Sequence, residues 1–231
     1  MISFQQVTKK YGKETALQDI DFTFEKGKIY GLVGANGSGK STTLKLIAGL
    51  VQPTSGNVSV NGKKANRKIA ADVSYLTELD MFYEGFTVLD MLNFSASQFQ
   101  DLNMETAYEL ISFMALDKGK KIRELSKGNR GRLKLVISLS RKVPVVLLDE
   151  PFSGLDPMVR ESIVKGLLHY IDFDRQTVII ATHEIAEIEP ILDDVVVINH
   201  GKFAAHFHVE TLREEYGLSV VEWMRENINQ L

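Results

Sequence analysis

Apolar residues recur along the chain in two rhythms, and the changes between them mark out its elements. Ile2, Phe4 and Val7 alternate with polar neighbours, as do Leu17, Ile20, Phe22 and Phe24, so each set predicts a strand with one buried face. Lys26-Gly27 then turns the chain into Ile29-Tyr-Gly-Leu-Val33, a continuous apolar run suited to a strand buried on both faces. Thr42 to Gly49 reads as the helix that follows. Val51 to Gly56 is a turn cluster, Val58-Ser-Val60 runs into an Asn61-Gly62 hairpin signal, and Val73 to Leu76 is another short strand. After a mixed acidic and aromatic loop, Thr77 to Gly85, the spacing becomes helical from Thr87 to about Lys142. Val88, Met91 and Leu92, then Ala107, Leu110 and Ile111, then Leu133, Val136 and Leu139 carry that rhythm.

Strand-like runs resume at Pro144–Asp149 and Thr177–Thr182, with a helix from about Met158 to Tyr170 between them. Val195–Asn199 and Phe203–His208 predict a closing hairpin, and Thr211 to Leu231 two short helices with Trp223 as packing. The strands flanking the helical block need each other to complete one sheet. The block is therefore expected to be a subdomain, about 87–142, inserted in a single domain spanning 1–231, with a helical extension over about 209–231.

Two stretches carry chemistry. Gly34-Ala35-Asn36-Gly37-Ser38-Gly39-Lys40-Ser41 fits the G-x-x-x-x-G-K-[ST] phosphate loop without a mismatch, set between a strand and the helix at Thr42. Its glycines let backbone N–H groups face a phosphate chain, and the helix N-terminus adds positive potential. Lys40 is placed to reach the β- and γ-phosphates, and the Ser41 hydroxyl to ligate Mg²⁺. The second stretch is Val145-Val-Leu-Leu-Asp149-Glu150, where two acids emerge at the C-terminal end of a buried strand, the place open parallel sheets use for ligands. Asp149 is expected to hold the metal, and Glu150 to accept a proton from an attacking water. His183 ends the next strand, which should lie beside that of Asp149.

Other features are less specific. Tyr11 stands in a turn-like setting, as a ring to stack on a purine or as a surface tyrosine. Lys118 to Arg132 is basic; such runs are usually solvated, but Ser126 reads as a helix N-cap and Gly128 leaves the first turn uncovered, which suits an anion. His206 and His208 share a strand face, with no carboxylate or thiolate partner evident nearby.

Composition narrows the class. The 231 residues include 44% hydrophobic and 25% charged side chains, as in an ordinary globular protein with a substantial core. A net charge of −3 argues against non-specific nucleic-acid binding, and the absence of cysteine excludes disulfides and thiolate chemistry. No signal peptide precedes Met1-Ile-Ser-Phe-Gln5 and no run reaches membrane-spanning length, so a cytoplasmic chain is expected. Any membrane span must then come from a partner.

Taken in order, the phosphate loop, the helical block, Leu125-Ser126-Lys127-Gly128, Asp149-Glu150, Ser153-Gly-Leu-Asp156 and His183 resemble the ATP-binding cassette (ABC) family from Tyr11 to about Lys202. The resemblance implies an α/β fold: a P-loop NTPase core with a mostly parallel sheet, an N-terminal antiparallel β subdomain and an inserted α-helical subdomain. It implies ATP and Mg²⁺ as ligands, with Tyr11 on adenine and Ser126 and Gly128 on the γ-phosphate of ATP held by a facing second cassette. Ser153 to Asp156 would cross that interface, and His183 would orient γ-phosphate and water. The Lys127 signature is similar to bacterial ABC-2 type exporters, which implies a separately encoded transmembrane subunit and a chain peripheral to the inner membrane face. Two positions depart from the family pattern. Asn129 stands where glutamine is frequent, and Glu78 where a glutamine senses Mg²⁺, leaving Glu78 as a carboxylate ligand for metal or water. A soluble cassette ATPase, as in iron–sulfur cluster scaffolding, is the alternative; long coiled coils or tandem cassettes typical of DNA- or ribosome-directed relatives are missing.

Overall fold

The computed structural model describes residues 1–227. Strands β1 (Ile2–Tyr11) and β2 (Glu14–Phe24) form an antiparallel hairpin whose inward side chains, Ile2, Phe4, Leu17 and Phe24 among them, are buried. Strand β3 (Ile29–Val33) leads into α1 (Lys40–Ile47). That helix starts two residues before the expected Thr42, because Gly39 is the N-cap and Lys40 and Ser41 belong to its first turn. Strands β4 (Ser55–Val60) and β5 (Lys63–Lys64) join through Asn61 and Gly62, both at positive φ, 49° and 77°, as a two-residue hairpin of matching twist requires. With β1 and β2 they make a four-stranded antiparallel sheet in the order β2-β1-β4-β5.

Strand β6 (Val73–Leu76) precedes three helices: α2 (Val88–Gln98), α3 (Met104–Phe113) and α4 (Lys127–Leu139). Their starts are written in the sequence: Thr87 and Asp90 form a reciprocal capping box, and Asn103 and Ser126 cap the other two. Strand β7 (Val145–Asp149), helix α5 (Pro157–Tyr170) capped by Asp156, and β8 (Thr177–Thr182) follow. The hairpin of β9 (Asp194–Asn199) and β10 (Lys202–His208) leads to α6 (Val209–Tyr216) and α7 (Val220–Asn227). Residues 228–231 of the expected extension lie outside the described residues.

The second sheet has six strands in the order β10-β9-β3-β8-β7-β6, all parallel except β10. Its central strands are apolar on both faces because both are covered. On β7, Val146 and Leu148 face a core shared with α4 and α5, through Leu133, Val136, Ile163 and Leu167. Val145 and Leu147 face the other core, with Leu44, Ile47 and the antiparallel sheet's Phe4 and Phe24. The fold is α/β, and it brings the ends of β3, β7 and β8 to adjacent positions along one edge of the sheet.

Candidate active site

The chain leaves β3 at Val33 and wraps through the glycines into α1. Two of those glycines are required by contact. A Cβ on Gly34 would collide with the Ile198 carbonyl oxygen. Gly39 sits at φ 119°, where a Cβ would meet the Ala16 carbonyl oxygen at 2.8 Å. No side chain caps α1, so the first-turn N–H groups of Lys40, Ser41 and Thr42 have no intrahelical partner. They border a concavity of about 370 Å³ lined by Tyr11, Asn36, Gly37, Gly39, Lys40, Ser41, Thr42, Glu78 and Glu150. Ser38 is buried beside it, its N–H donating to the Ala35 carbonyl at 3.1 Å while its hydroxyl has no protein partner.

Lys40 is only 6% exposed. Its ammonium donates to the carbonyls of Gly34 (2.8 Å) and Ala35 (3.1 Å) and lies 3.8 Å from Oε1 of Glu150. Burial pushes its pKa below the usual lysine value, and the nearby charges of Glu150 and Asp149 oppose that shift.

Asp149 ends β7 between β6 and β8, and both its oxygens are engaged. Ser41 Oγ donates to Oδ1 at 3.0 Å, and the Tyr75 hydroxyl donates to Oδ2 at 2.8 Å. Burial, reinforced by the Asp149 charge, raises the Tyr75 phenol pKa well above its ordinary value and keeps it a donor. Glu150 follows in a left-handed conformation, φ 47°, held by its N–H donating to the Ala181 carbonyl at 2.8 Å. That strained backbone turns its carboxylate toward Lys40 on one side and His183 on the other, whose Nδ1 is 3.0 Å from Oε2.

The fold thus gathers Lys40, Ser41, Asp149, Glu150 and His183, with Tyr11 and Glu78 on the wall of the same concavity. Ser126 and Gly128 are not part of that wall. Ser126 Oγ caps α4 by accepting from the Asn129 N–H at 3.3 Å, and a Cβ on Gly128 would stand 3.3 Å from Val159. The basic run around them is only partly solvated. Arg130 pairs with Asp80 and Glu84, and Lys134 donates to the Glu78 carbonyl at 2.8 Å, tying the Thr77–Gly85 loop to α4.

Three relationships were not visible in the sequence. Tyr75 reaches Asp149 from a neighbouring strand. Arg160 of α5 donates through Nε to the Leu155 carbonyl at 2.7 Å and pairs with Glu184 and Glu187 just after His183. Contrary to the sequence reading, His206 does have a carboxylate beside it: its Nε2 is 3.0 Å from Oδ1 of buried Asp194, which Lys28 also approaches at 3.0 Å. Among the described residues, no cluster of three His, Cys, Asp or Glu side chains is arranged to hold a metal ion.

A separate apolar groove of about 600 Å³ lies between β6 and the helices α2 and α4, lined by Tyr75, Leu79, Met81, Phe82, Phe94 and Ile137 among others. Of the loop aromatics, Phe82 lines it, whereas Tyr83 and Phe86 pack on Phe94 with ring centroids 5.2 and 6.1 Å away. No helix among the described residues is long and apolar enough to cross a membrane.

This donor set fits a magnesium–triphosphate. Uncapped N–H groups and a buried ammonium suit phosphate oxygens, and a hydroxyl paired to a carboxylate suits an oxygen-seeking divalent cation.

Comparisons with known proteins agree with the triphosphate part of that reading. A family model described as ABC transporter matches residues 17–153. An uncharacterized ABC transporter ATP-binding protein of Methanocaldococcus jannaschii is 33% identical over 211 residues, 89% of this chain and 76% of the relative. The lantibiotic transport ATP-binding protein SrtF of Streptococcus pyogenes is 29% identical over 204 residues, 87% of this chain and 88% of its own. The sulfate/thiosulfate import ATP-binding protein CysA of Synechococcus elongatus is 34% identical over 209 residues, 87% of this chain but 60% of its own. Among solved structures, an ATP binding subunit of an ABC transporter has the same fold, with a TM-score of 0.84 at 24% identity over 99% of this chain and 98% of that one. A dimeric ATP-binding cassette in a post-hydrolysis state with ADP and Pi matches with a TM-score of 0.80 at 24% identity, covering 90% and 98%.

Proposed function

This chain belongs to the ABC transporter family, and from that premise we propose that it is the ATP-hydrolysing subunit powering a membrane exporter through ATP-driven pairing of two cassettes. The observation that carries the reading is the Ser41–Asp149 bond of 3.0 Å, which joins the phosphate loop to the acidic strand end in one concavity with Lys40 and Glu150. Residues 1–231 act in this proposal as one cassette, with the block at about 87–142 as its inserted subdomain.

In the mechanism, N–H groups from Gly37 to Thr42 hold the phosphate chain, and Lys40 turns from its own loop carbonyls to the β- and γ-phosphates. Ser41 and Asp149, with Glu78, would hold Mg²⁺, which would supply positive charge to offset that of the phosphate oxygens. Tyr11 stacks on the adenine. Glu150 takes the proton of the attacking water, and His183 orients that water and the γ-phosphate from the other side. Ser126 and Gly128 serve a different nucleotide. They stand apart from this chain's own concavity, so they close over ATP held by a second cassette, identical or related, arranged head to tail. Loss of the γ-phosphate removes the charge that bridges the pair, and the cassettes separate.

The apolar groove beside β6 suits a helix of a separately encoded transmembrane subunit, which would place the chain on the cytoplasmic face of its membrane. Export is favoured by the Lys127 signature. The test is nucleotide binding and hydrolysis by the purified chain and its Lys40→Ala variant. The proposal expects hydrolysis in the first and loss of both in the second; unchanged turnover in Lys40→Ala contradicts it.

A further inference from the structure

We propose that Tyr75 is a positioning residue for Asp149, aiming the carboxylate at the metal; this rests on the magnesium–nucleotide reading above. Asp149 is 4% exposed, so a carboxylate oxygen without a protein partner would find little water to replace it. Its two oxygens are not equivalent. Oδ1 faces Ser41 at 3.0 Å and Oδ2 takes the Tyr75 hydroxyl at 2.8 Å. With Oδ2 tethered, rotation about the Cβ–Cγ bond is fixed and Oδ1 stays on the side of Ser41, where the cation belongs.

The sheet explains why this residue is a tyrosine. In the parallel pairing of β6 with β7, Tyr75 stands opposite Leu147 and Leu76 opposite Leu148. Asp149 is two residues beyond Leu147, so its side chain emerges on the same face as that of Tyr75, about 6.6 Å further along the strand direction. A rigid aromatic ring carrying a terminal hydroxyl spans that offset; a serine or threonine at 75 would fall short, and a phenylalanine would span it without a donor. The ring is packed against the core between the two sheets and also forms part of the apolar groove, so its direction is set from both sides. Whatever seats in the groove beside β6 touches the side chain that holds Asp149.

The test is Tyr75→Phe, which keeps the ring and removes only the hydroxyl. ATP binding is titrated first in EDTA and then against increasing Mg²⁺, and turnover is measured at low and high Mg²⁺. Groups that orient metal ligands are typically worth about 10–100-fold in metal affinity. The half-saturating Mg²⁺ concentration should therefore rise about tenfold, with ATP affinity in EDTA unchanged and the lost turnover restored by excess Mg²⁺. Tyr30→Phe is the control, because that buried phenol accepts from the Glu25 N–H at 2.8 Å. It should lose stability alone. A wild-type Mg²⁺ requirement in Tyr75→Phe, or an equal shift in Tyr30→Phe, overturns the proposal. Failure of the wild-type chain to bind ATP even in EDTA would instead overturn the nucleotide reading, and this one with it.

Discussion

Nδ1 of His183 lies 3.0 Å from Oε2 of Glu150, although 33 residues separate them in the chain. The contact exists because β7 and β8 are parallel neighbours, so residues just past their C-terminal ends project into the same space. Glu150 accepts an uncommon left-handed backbone to reach it. His183 is 44% exposed and makes little core contact, so removing it should cost little stability. His183→Ala is expected to slow ATP hydrolysis by about 10²–10⁴-fold. Its dissociation constant for ATP, measured by equilibrium titration, should stay within a few-fold of wild type.

Gly39 provides a test of the cradle itself. At φ 119°, with the Ala16 carbonyl 2.8 Å from any added Cβ, Gly39→Ala strains the backbone and crowds the hairpin behind it. A loss of at least about 1–3 kcal/mol is expected in denaturant unfolding. Weakened nucleotide binding should accompany it, since the displaced loop carries the phosphate-facing N–H groups. Gly37→Ala has no such crowding, because no atom lies within 4 Å of the added Cβ, and should be milder in both measurements.

Arg141 fastens the end of α4 to the edge strand. It is 4% exposed, forms a two-point pair with Asp101 at 2.8 and 2.6 Å, and donates to the carbonyls of Val73 (3.0 Å) and Ala70 (2.6 Å). Its guanidinium also covers the Phe99 ring, 4.1 Å from the centroid. Arg141→Ala leaves those acceptors unpaired and should destabilise the protein by about 3–5 kcal/mol. Arg141→Lys should recover only part of that loss in the same unfolding measurement, since an ammonium cannot reproduce a planar fork.

The legible parts of this protein are those whose chemistry is local. Gly34 to Ser41 is one uninterrupted motif, Asp149-Glu150 sits at the end of an unmistakable apolar run, and Ser126 marks a helix start by its own side chain. The Asn61-Gly62 turn likewise announces its hairpin. The neighbouring of the His183 and Asp149 strands is expected from the sequence and is found, but other relationships set by strand order are hidden. Tyr75 looks like any strand aromatic until β6 is seen to lie beside β7, which puts its hydroxyl on a carboxylate 74 residues away. The pairing of Arg160 with Glu184 and Glu187 spans 24 and 27 residues and follows no helical or strand period. Asp194 is hidden as a partner for His206 because the pair is diagonal across the hairpin: His206 stands opposite Val196, and Asp194 opposite His208. The sequence suggests Thr42 rather than Lys40 as the start of α1, because a glycine N-cap carries no side-chain signal.

The most direct measurement of the central claim is ATP binding, ATP turnover and molecular mass in solution, made side by side on the wild-type chain and Glu150→Gln. The substitution keeps the size of the side chain and removes its ability to take a proton. Wild type should bind and hydrolyse ATP. Glu150→Gln should bind ATP with similar affinity, hydrolyse it at least about 10²-fold more slowly, and accumulate at twice the monomer mass when ATP and Mg²⁺ are present. Undiminished hydrolysis by Glu150→Gln, or absence of ATP binding by either chain, would contradict the account.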